Sequence, residues 1–306
     1  MSLERVRRLE LTVAPSDAGV RVELLLRRRF GLSGTVVRRI KWLEDGILLD
    51  GARVNTRCVP RVGQILSVRL SDPERRSGVV PAPGELDIRY EDGDLVVLNK
   101  APGVTVHPGP GHFYDTVGNF LLWHYDQEGS EADFHPVHRL DRGTSGLMVI
   151  ARNKGINALL CQQFSQRTVD KVYTALLCGH LAEDEGIVEA AIAKDPARFP
   201  RMALCARHGK PARSRYRVID RLYQAREGER ALALTRVALT PETGRTHQLR
   251  IHCQLLGYPI LGCDLYGGRE LPGTECASRL MLHASELRFV HPVSHEPMHI
   301  QQASPF

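Results

Sequence analysis

One acidic residue of this sequence stands in a setting that suits catalysis. Asp141 lies between Arg139 and Arg142, at the start of a turn rich in Gly, Thr and Ser, in the segment HPVHRLDRGTSG. Flanking cations favour the ionised form of a carboxylate, which is the form that attacks a polarised carbon or removes a proton. On these residues alone a structural alternative stays open, in which Asp141 caps the turn and pairs with an arginine.

Regular patterns around this turn predict the elements that would position it. The apolar run 146–151 predicts a buried strand directly after the turn, and apolar residues spaced three and four apart predict a helix over 153–166. The segment THQLRIHCQLLG (246–257) fits a second helix that Gly257 ends. Further strands are predicted near 87–90, 95–100, 171–179, 214–222, 231–240 and 280–290. Because strands outnumber helices and short turns often join them, we expect an α+β fold with a large mixed, mainly antiparallel sheet.

The first 75 residues differ from the rest of the chain in charge. They hold 15 of the 41 Lys and Arg residues and 9 of the 35 Asp and Glu residues, whereas the rest of the chain holds 26 of each. The spacing of Val36, Val37, Ile40 and Leu43 predicts an amphipathic helix with cations on its flank, and Asp50-Gly51 predicts a hairpin turn. A basic unit beside a neutral body favours binding to a phosphate backbone, although a solvated arginine surface is the alternative.

This basic unit resembles the small RNA-binding domain first seen in a ribosomal small-subunit protein, with two short helices followed by a small hairpin. The resemblance implies that the helix cations contact an RNA backbone, namely Arg27, Arg28, Arg38, Arg39 and Lys41. We predict a small α/β unit at 1–75, a linker rich in Pro and Gly at 76–84, and a catalytic domain at 85–306. We expect the first unit to be removable while the rest stays folded.

The Asp141 segment also belongs to a longer pattern. H-R-L-D-x-x-T-S-G resembles the signature of the RluA-type pseudouridine synthases. Further segments match that family in the expected order, namely LVVLNKAPGVTVHPG, DKVYTALLCGH, TGRTHQLRIHCQLLGYPILGCDLYG and RLMLHASELRFVHP. Together the matches cover residues 85–306. The resemblance implies an isomerase that breaks the bond between uracil and ribose in RNA, turns the uracil and rejoins it through carbon.

The resemblance also implies roles for individual residues. Asp141 is the essential aspartate, which either attacks the anomeric carbon or abstracts a neighbouring ribose proton, and the sequence does not choose between the two. Tyr173 corresponds to the tyrosine that stacks on uracil, and Arg250 to the arginine that pairs with the aspartate. Arg139 corresponds to the arginine that helps to extrude the target nucleotide. Leu282 corresponds to an apolar residue of the uracil pocket.

One position departs from the family pattern. Gly143 stands where a small polar or acidic residue is common, and its backbone freedom could loosen the loop. We expect this to alter the rate or the fit of the substrate while activity is retained.

Other classes of site find little support. The sequence has thirteen His and seven Cys but neither H-E-x-x-H nor C-x-x-C spacing, so we expect free thiols and no metal. The resemblance implies that no cofactor is needed. There is no apolar run of 18 residues and no signal-peptide pattern, so we expect a cytoplasmic protein that makes no contact with membranes. We also expect a monomer.

RNA is therefore the expected partner, with ribosomal RNA of the large subunit placed before transfer RNA. Two other functions fit the sequence less well. A non-catalytic RNA-binding or ribosome-assembly protein of the same fold is disfavoured because Asp141, Tyr173 and Arg250 occur together. A glycosidase or nucleoside hydrolase would need a second carboxylate as proton donor, and none stands out in these motifs.

Overall fold

The computed structural model describes residues 6–71, 74–195, 201–205, 207–226, 229–269 and 277–306. Within these ranges the α-helices are α1 (Val22–Arg28), α2 (Gly34–Ile40), α3 (Val117–Gln127), α4 (Lys154–Gln166) and α5 (Gln248–Leu255). The strands are β1 (Arg8–Thr12), β2 (Ile47–Leu49), β3 (Ala52–Arg53), β4 (Ile65–Arg69), β5 (Ile88–Glu91), β6 (Leu95–Lys100), β7 (His135–Pro136), β8 (Ser145–Ala151), β9 (Asp170–Cys178), β10 (Glu185–Lys194), β11 (Met202–Leu204), β12 (Lys210–Arg226), β13 (Glu229–Pro241), β14 (Leu282–Val290) and β15 (Pro297–Gln301). No helix in the described part of the chain is long and apolar enough to cross a membrane.

The larger of two sheets organises most of the chain. It has eleven strands, with the order β11-β10-β12-β13-β9-β14-β8-β6-β5, while β15 pairs with β14 and β7 with β8. Its described pairings are antiparallel except that of β8 with β14, which is parallel. The predicted α+β fold with a mainly antiparallel sheet is confirmed.

The strand that follows Asp141 is held tightly at the centre of this sheet. Every residue of β8 is buried, and its first residues pair with β14 through Ser145 with His283 and Gly146 with Ala284. Gly146 has a φ of 112°, and a Cβ at that position would lie 2.3 Å from the carbonyl oxygen of Ala284. Only glycine satisfies both the backbone angle and the close approach, which explains its place in the T-S-G sequence.

The helices predicted beside the catalytic segment are confirmed. Before α4, the side chain of Asn153 accepts a hydrogen bond from the backbone N–H of Ile156 at 3.0 Å and so caps the helix. After α5, Gly257 has a φ of 84°, as expected of a glycine that ends a helix. The helix α3 was not predicted; Thr116 caps it by accepting from the N–H of Asn119.

The N-terminal unit is built on the smaller sheet. Its strand order is β1-β4-β2-β3, and α1 and α2 pack against it. The predicted hairpin at Asp50-Gly51 joins β2 to β3, and both residues have positive φ, 48° and 80°. Two central residues with positive φ are typical of the tight turn that suits a two-residue hairpin.

This unit shares a hydrophobic core with the catalytic domain. One buried cluster contains residues of α1 and α2 together with residues of β6, β8 and α4. Leu70 lies so close to Gly155 that a Cβ there would be 2.8 Å from the Leu70 carbonyl oxygen. Arg7 donates from Nε and Nη2 to the buried carboxylate of Asp94. The expectation that residues 1–75 are removable conflicts with this packing, because their loss would expose the apolar side of α4.

The predicted linker is held along the catalytic domain. The N–H groups of Arg76 and Ser77 donate to Asp133 at 2.9 and 3.0 Å. The side chain of Asn119 donates to the carbonyl oxygen of Val80 at 2.7 Å, and Ala82 donates to the Asn119 carbonyl at 3.1 Å. A segment with these bonds fixes the orientation of the two units that it joins.

Candidate active site

The turn that carries Asp141 is fixed by its own backbone and by a neighbouring loop. The N–H of Thr144 donates to the carbonyl oxygen of Asp141 at 3.0 Å, which closes the turn. The N–H of Gly103 donates to the carbonyl oxygen of Arg142 at 2.8 Å, and Arg142 Nε donates back to Gly103 at 3.0 Å. The carboxylate of half-buried Asp141 is thus presented from a turn that is braced at both ends.

Lys100 braces the same turn from inside the protein. Its ammonium donates to the carbonyl oxygens of Ala101 and Val104 at 2.8 and 2.9 Å and to that of Arg142 at 3.2 Å. Burial lowers the pKa of Lys100 to about 7, although the charge of Asp141 opposes this effect. The three carbonyl contacts make Lys100 a structural tie between the end of β6 and the Asp141 turn.

A cavity of about 530 Å³ opens in front of Asp141. Its lining joins residues that are far apart in sequence, because β9, β14 and the start of α5 converge beside the Asp141 turn. The residues proposed for the reaction all lie there, namely Arg139, Asp141, Tyr173, Arg250 and Leu282. A concave site of this size suits a ligand as large as a nucleotide.

Tyr173 and Leu282 form buried parts of this cavity. Tyr173 lies on β9, between Leu239 of β13 and Ala284 of β14. Burial raises the pKa of Tyr173, and the charge of Asp141 raises it further. The phenol therefore stays neutral at physiological pH and offers a ring face and an O–H group. Leu282 is 3% exposed at the first position of β14 and adds an apolar wall.

Arg250 is held in the cavity wall by partners of its own. Its guanidinium donates to the sulfur of Cys263 at 3.3 Å from both Nε and Nη2 and forms an ion pair with Asp264. Burial lowers the pKa of Arg250, but Cys263, Asp141 and Asp264 outweigh it, so the pKa is raised. Among the described residues Arg250 makes its ion pair with Asp264, whereas the sequence suggested a direct pair with Asp141. Asp141 acts on this guanidinium through its charge.

Further cations surround the cavity. Arg139, Arg167, Lys171 and Arg245 line it together with Arg250, whereas its carboxylates are those of Asp141 and Glu242. Glu242 is already paired with Arg213 and Arg215. The cavity therefore has an excess of positive charge, which suits a phosphate backbone passing over it.

The cations predicted on the N-terminal unit lie on a separate surface. We define the basic face as Arg27, Arg28, Arg38, Arg39 and Lys41 of α1, α2 and the residue after α2. Arg27 extends across to the start of α2, since its Nη2 lies 3.0 Å from where a Cβ of Gly34 would be. None of the described carboxylates forms an ion pair with Arg27, Arg28, Arg38 or Lys41. The positive charge of these four residues is therefore available to an anionic partner.

An aromatic side chain that the sequence reasoning missed stands beside this face. Trp42 is 76% exposed, and Lys41 Nζ lies 5.0 Å from the centre of its ring. The signal was available in the sequence, because an indole directly follows a basic helix. Exposed aromatic rings among cations are a common platform for stacked bases.

Sequence reasoning also gave no role to several residues of the cavity and its support. Lys100 ends a predicted apolar strand, and a charge at that position was the available signal. Arg167 directly follows α4, and Lys171 is the second residue of β9, with its Nζ 5.4 Å from the centre of the Phe164 ring. His247, which directly precedes α5, was given no role, yet it lines the cavity.

Within the described ranges, two groups of side chains each bring three potential metal ligands together, and none of these residues lines the cavity. Glu91, His124 and Glu128 form one, but Arg152 forms an ion pair with Glu91. Asp92, Asp94 and His291 form the other, and Arg7 forms an ion pair with Asp94. The six cysteines within the described ranges are free thiols, and Cys276 lies outside them.

Comparison with known proteins agrees with this geometry. Residues 94–255 match the family described as RNA pseudouridylate synthase. A relative named ribosomal large subunit pseudouridine synthase D, from Nitrosomonas europaea, is 34% identical and covers 96% of this chain and 83% of its own length. Its namesake from Pasteurella multocida is 37% identical and covers 84% of this chain and 79% of its own length. An uncharacterised RNA pseudouridine synthase of Bacillus subtilis is 34% identical over 87% of this chain and 84% of its own length.

A solved structure extends the similarity to the fold. The human RNA pseudouridylate synthase domain containing 1 protein has a TM-score of 0.60 and 31% identity, covering 73% of this chain and 86% of that one. The sheet, the cavity and these matches define a class of enzymes that rearrange uridine within RNA. This chain belongs to the RNA pseudouridine synthase family, whose members isomerise uridine in RNA to pseudouridine.

Proposed function

We propose that Asp141 carries out the sugar chemistry of this isomerisation. The observation that supports this most strongly is that Asp141, Tyr173 and Arg250, which come from separate motifs, line one cavity. In that cavity a carboxylate on a braced turn faces a neutral phenol and a charged guanidinium. Such an arrangement suits a step in which positive charge develops on the ribose beside a fixed anion.

Two routes for Asp141 are consistent with this arrangement. In one, the carboxylate attacks C1′ of the ribose and displaces uracil. In the other, it removes the proton from C2′ as uracil leaves, which forms a double bond between C1′ and C2′, and the proton returns to C2′ when C5 of uracil adds to C1′. Deuterium at C2′ distinguishes them, since it slows the reaction strongly only if that C–H bond breaks in the slow step.

The other cavity residues are proposed to bind the target nucleotide. A stacked or paired uridine has to be flipped out of the RNA, at a cost of roughly a few kcal/mol, before it reaches a carboxylate in a cavity. Exposed Arg139 stands at the mouth beside Asp141, where it would fill the space that the flipped base leaves. Tyr173 would stack on the uracil ring, and Leu282 would pack against its edge.

We propose ribosomal RNA of the large subunit as the substrate. Relatives of this name match nearly the whole chain, and the basic face gives it a second surface for a structured RNA. Because all the residues named for the cavity come from one chain, we propose the monomer as the active unit. Transfer RNA is the alternative substrate, and the experiment has to distinguish it from ribosomal RNA.

The test uses purified protein and unmodified transcripts of large-subunit ribosomal RNA and of transfer RNA. We expect pseudouridine at defined sites in the ribosomal transcript with the wild-type protein. With Asp141→Asn we expect a loss of about a thousandfold or more in rate, as when the reacting group of an active site is removed. Product from transfer RNA alone would refute the substrate, and undiminished product with Asp141→Asn would refute the role of Asp141.

A further inference from the structure

His247 occupies an unusual backbone position in the cavity. It directly precedes α5 with φ 56° and ψ 18°, a left-handed conformation that non-glycine residues rarely adopt. Its half-buried side chain lines the same cavity as Asp141, Tyr173 and Arg250. Backbone strain of this kind persists where the surrounding structure holds a side chain in a required place.

A buried tyrosine lies within hydrogen-bonding distance of one ring nitrogen of His247. The hydroxyl of Tyr266, which is 1% exposed overall, accepts a hydrogen bond from the N–H of Met202 at 2.9 Å. The same hydroxyl lies 2.9 Å from Nδ1 of His247, whereas the carbonyl oxygen of Met202 is 3.4 Å away. Nδ1 is thus the nearer of two acceptors for the hydroxyl proton, and we assign the proton to that bond. A neutral imidazole that accepts at Nδ1 carries its own proton on Nε2.

The other nitrogen is left for a ligand. Burial is the largest effect on the pKa of His247 and lowers it; the charge of Asp141 opposes the shift and that of Arg250 adds to it. The imidazole is therefore neutral at physiological pH. Among the described residues no group hydrogen-bonds Nε2, and with this assignment Nε2 carries an N–H donor on a residue of the cavity lining.

The reaction creates a need for such a donor. When the bond between N1 and C1′ breaks, its electron pair stays on uracil, and the negative charge is shared by N1, O2 and O4. The ring then turns, and C5 forms the new bond to C1′ with its own electron pair. C5 releases its proton and N1 takes one up, so the product is an isomer. A donor held in place before the charge develops stabilises the uracil anion without being reorganised.

We propose that His247 is a catalytic residue whose Nε2–H donates a hydrogen bond to O2 or O4 of the flipped uracil and stabilises the departing anion. The imidazole keeps its proton throughout. Tyr266 is the positioning residue that fixes the tautomer. This proposal rests on the function proposed above for Asp141.

Single-turnover rates with atom-substituted substrates test it. The target position carries uridine, 2-thiouridine or 4-thiouridine, because sulfur accepts a weaker hydrogen bond than oxygen. We expect His247→Ala to slow the reaction of normal RNA about 10- to 100-fold, the size typical of one lost donor, while the Kd for RNA stays within about twofold. Sulfur in place of the oxygen that His247 contacts should slow the wild-type reaction. In His247→Ala the same substitution should cause almost no further loss of rate.

Tyr266→Phe gives an independent arm, since it removes one hydroxyl from a buried ring. We expect a loss of roughly 3- to 10-fold in rate and a weakened response to the same thio substitution, because the tautomer is no longer fixed. His247→Gln, which keeps an N–H donor, should recover part of the rate. His299→Ala is the control, as this exposed histidine pairs with Glu286 and neither residue lines the cavity.

The outcomes separate this proposal from the one on which it rests. A rate of His247→Ala within twofold of the wild type overturns the proposal. It is also overturned if each thio substitution slows His247→Ala by the same factor as it slows the wild type. Full activity of Tyr266→Phe with an unchanged thio response overturns the assignment of the tautomer. Absence of product with the wild type, or full activity of Asp141→Asn, instead refutes the proposed function.

Discussion

The basic face and the cavity both carry several cations, but they hold them in different ways. On the basic face, Arg27, Arg28, Arg38 and Lys41 have no ion-pair partner among the described carboxylates. In the cavity, Arg250 is buried, paired with Asp264 and bonded to Cys263. Unpaired exposed charges act additively on a polyanion and are screened by salt. The effect of a buried, paired charge such as that of Arg250 depends instead on its exact position in the site. We therefore expect graded, salt-dependent effects on the face and abrupt effects in the cavity.

The largest expected effect concerns the backbone beneath the cavity. Gly146→Ala places a Cβ 2.3 Å from the carbonyl oxygen of Ala284 and forces alanine to a φ of 112°. We expect the free energy of unfolding to fall by about 4 kcal/mol or more, or the protein not to fold. Denaturant unfolding measures this.

Gly143→Ala is the matched control, in the turn that directly precedes β8. A Cβ there meets the Leu280 side chain at 3.3 Å, with no backbone clash within 4 Å. We expect a change of less than about 1 kcal/mol. Equal losses for the two substitutions would contradict the view that the close approach of β8 and β14 is what requires glycine.

The next effect concerns the brace of the Asp141 turn. Lys100→Met removes the ammonium that donates to three carbonyl oxygens. We expect the reaction rate to fall roughly 10- to 100-fold, while the affinity for RNA is unchanged. Single-turnover kinetics and an RNA-binding titration measure the two quantities. A loss of affinity with an unchanged rate would place Lys100 in binding instead.

Lys100 also predicts a dependence of stability on pH. Burial lowers its folded pKa to about 7, whereas the unfolded value is near 10.5. Between these values the unfolded chain binds more protons than the folded one, so this residue makes stability rise with pH. We expect the stability of the wild type relative to Lys100→Met to increase from pH 7 to pH 10. A difference that shrinks over this range would contradict the assigned pKa direction.

Smaller, salt-dependent effects are expected on the basic face. Replacing Arg27, Arg28, Arg38 and Lys41 together by Gln should weaken RNA binding about 10- to 30-fold at moderate salt. The slope of log affinity against log salt should fall by about 0.7 to 0.9 for each phosphate that the variant no longer neutralises. Arg288→Gln is the control, because this exposed cation pairs with Glu286 on another surface. An unchanged salt slope would remove the basic face from the RNA-binding surface.

The smallest effect is expected for the exposed indole. Trp42→Ala should weaken RNA binding by about 1 kcal/mol, near the lower end for a stacked base, without changing the salt slope. Trp42→Phe, which keeps a ring, should retain most of the affinity. A change in the salt slope with Trp42→Ala would mean that the ring acts by placing Lys41, which lies over it.

Local sequence patterns predicted those parts of the molecule that local forces determine. Apolar spacing and capping residues identified α4 and α5, and the Asp-Gly pair identified the β2–β3 hairpin. The motifs placed Asp141, Tyr173 and Arg250 in one site, and the structure brings them into one cavity. Neither β10 nor α3 was predicted from the local pattern.

Features that depend on tertiary contacts were not predictable in this way. The ion pair of Arg250 with Asp264 and the bond of His247 to Tyr266 require the loop after α5 to fold back. The shared core of the N-terminal unit and α4 depends on packing between segments about 90 residues apart, such as Leu70 against Gly155. A change in charge along the sequence suggested a separable unit, but charge carries no information on what packs beneath it.

The central claim is that RNA is held by one region and rearranged by another. The most direct test measures the Kd for RNA and the single-turnover rate at saturating protein for two variants, Asp141→Asn and the fourfold Gln variant of the basic face. We predict that Asp141→Asn loses the rate and keeps the affinity, whereas the fourfold variant loses affinity and keeps the rate within about threefold. A fall of both quantities together in either variant would contradict this division.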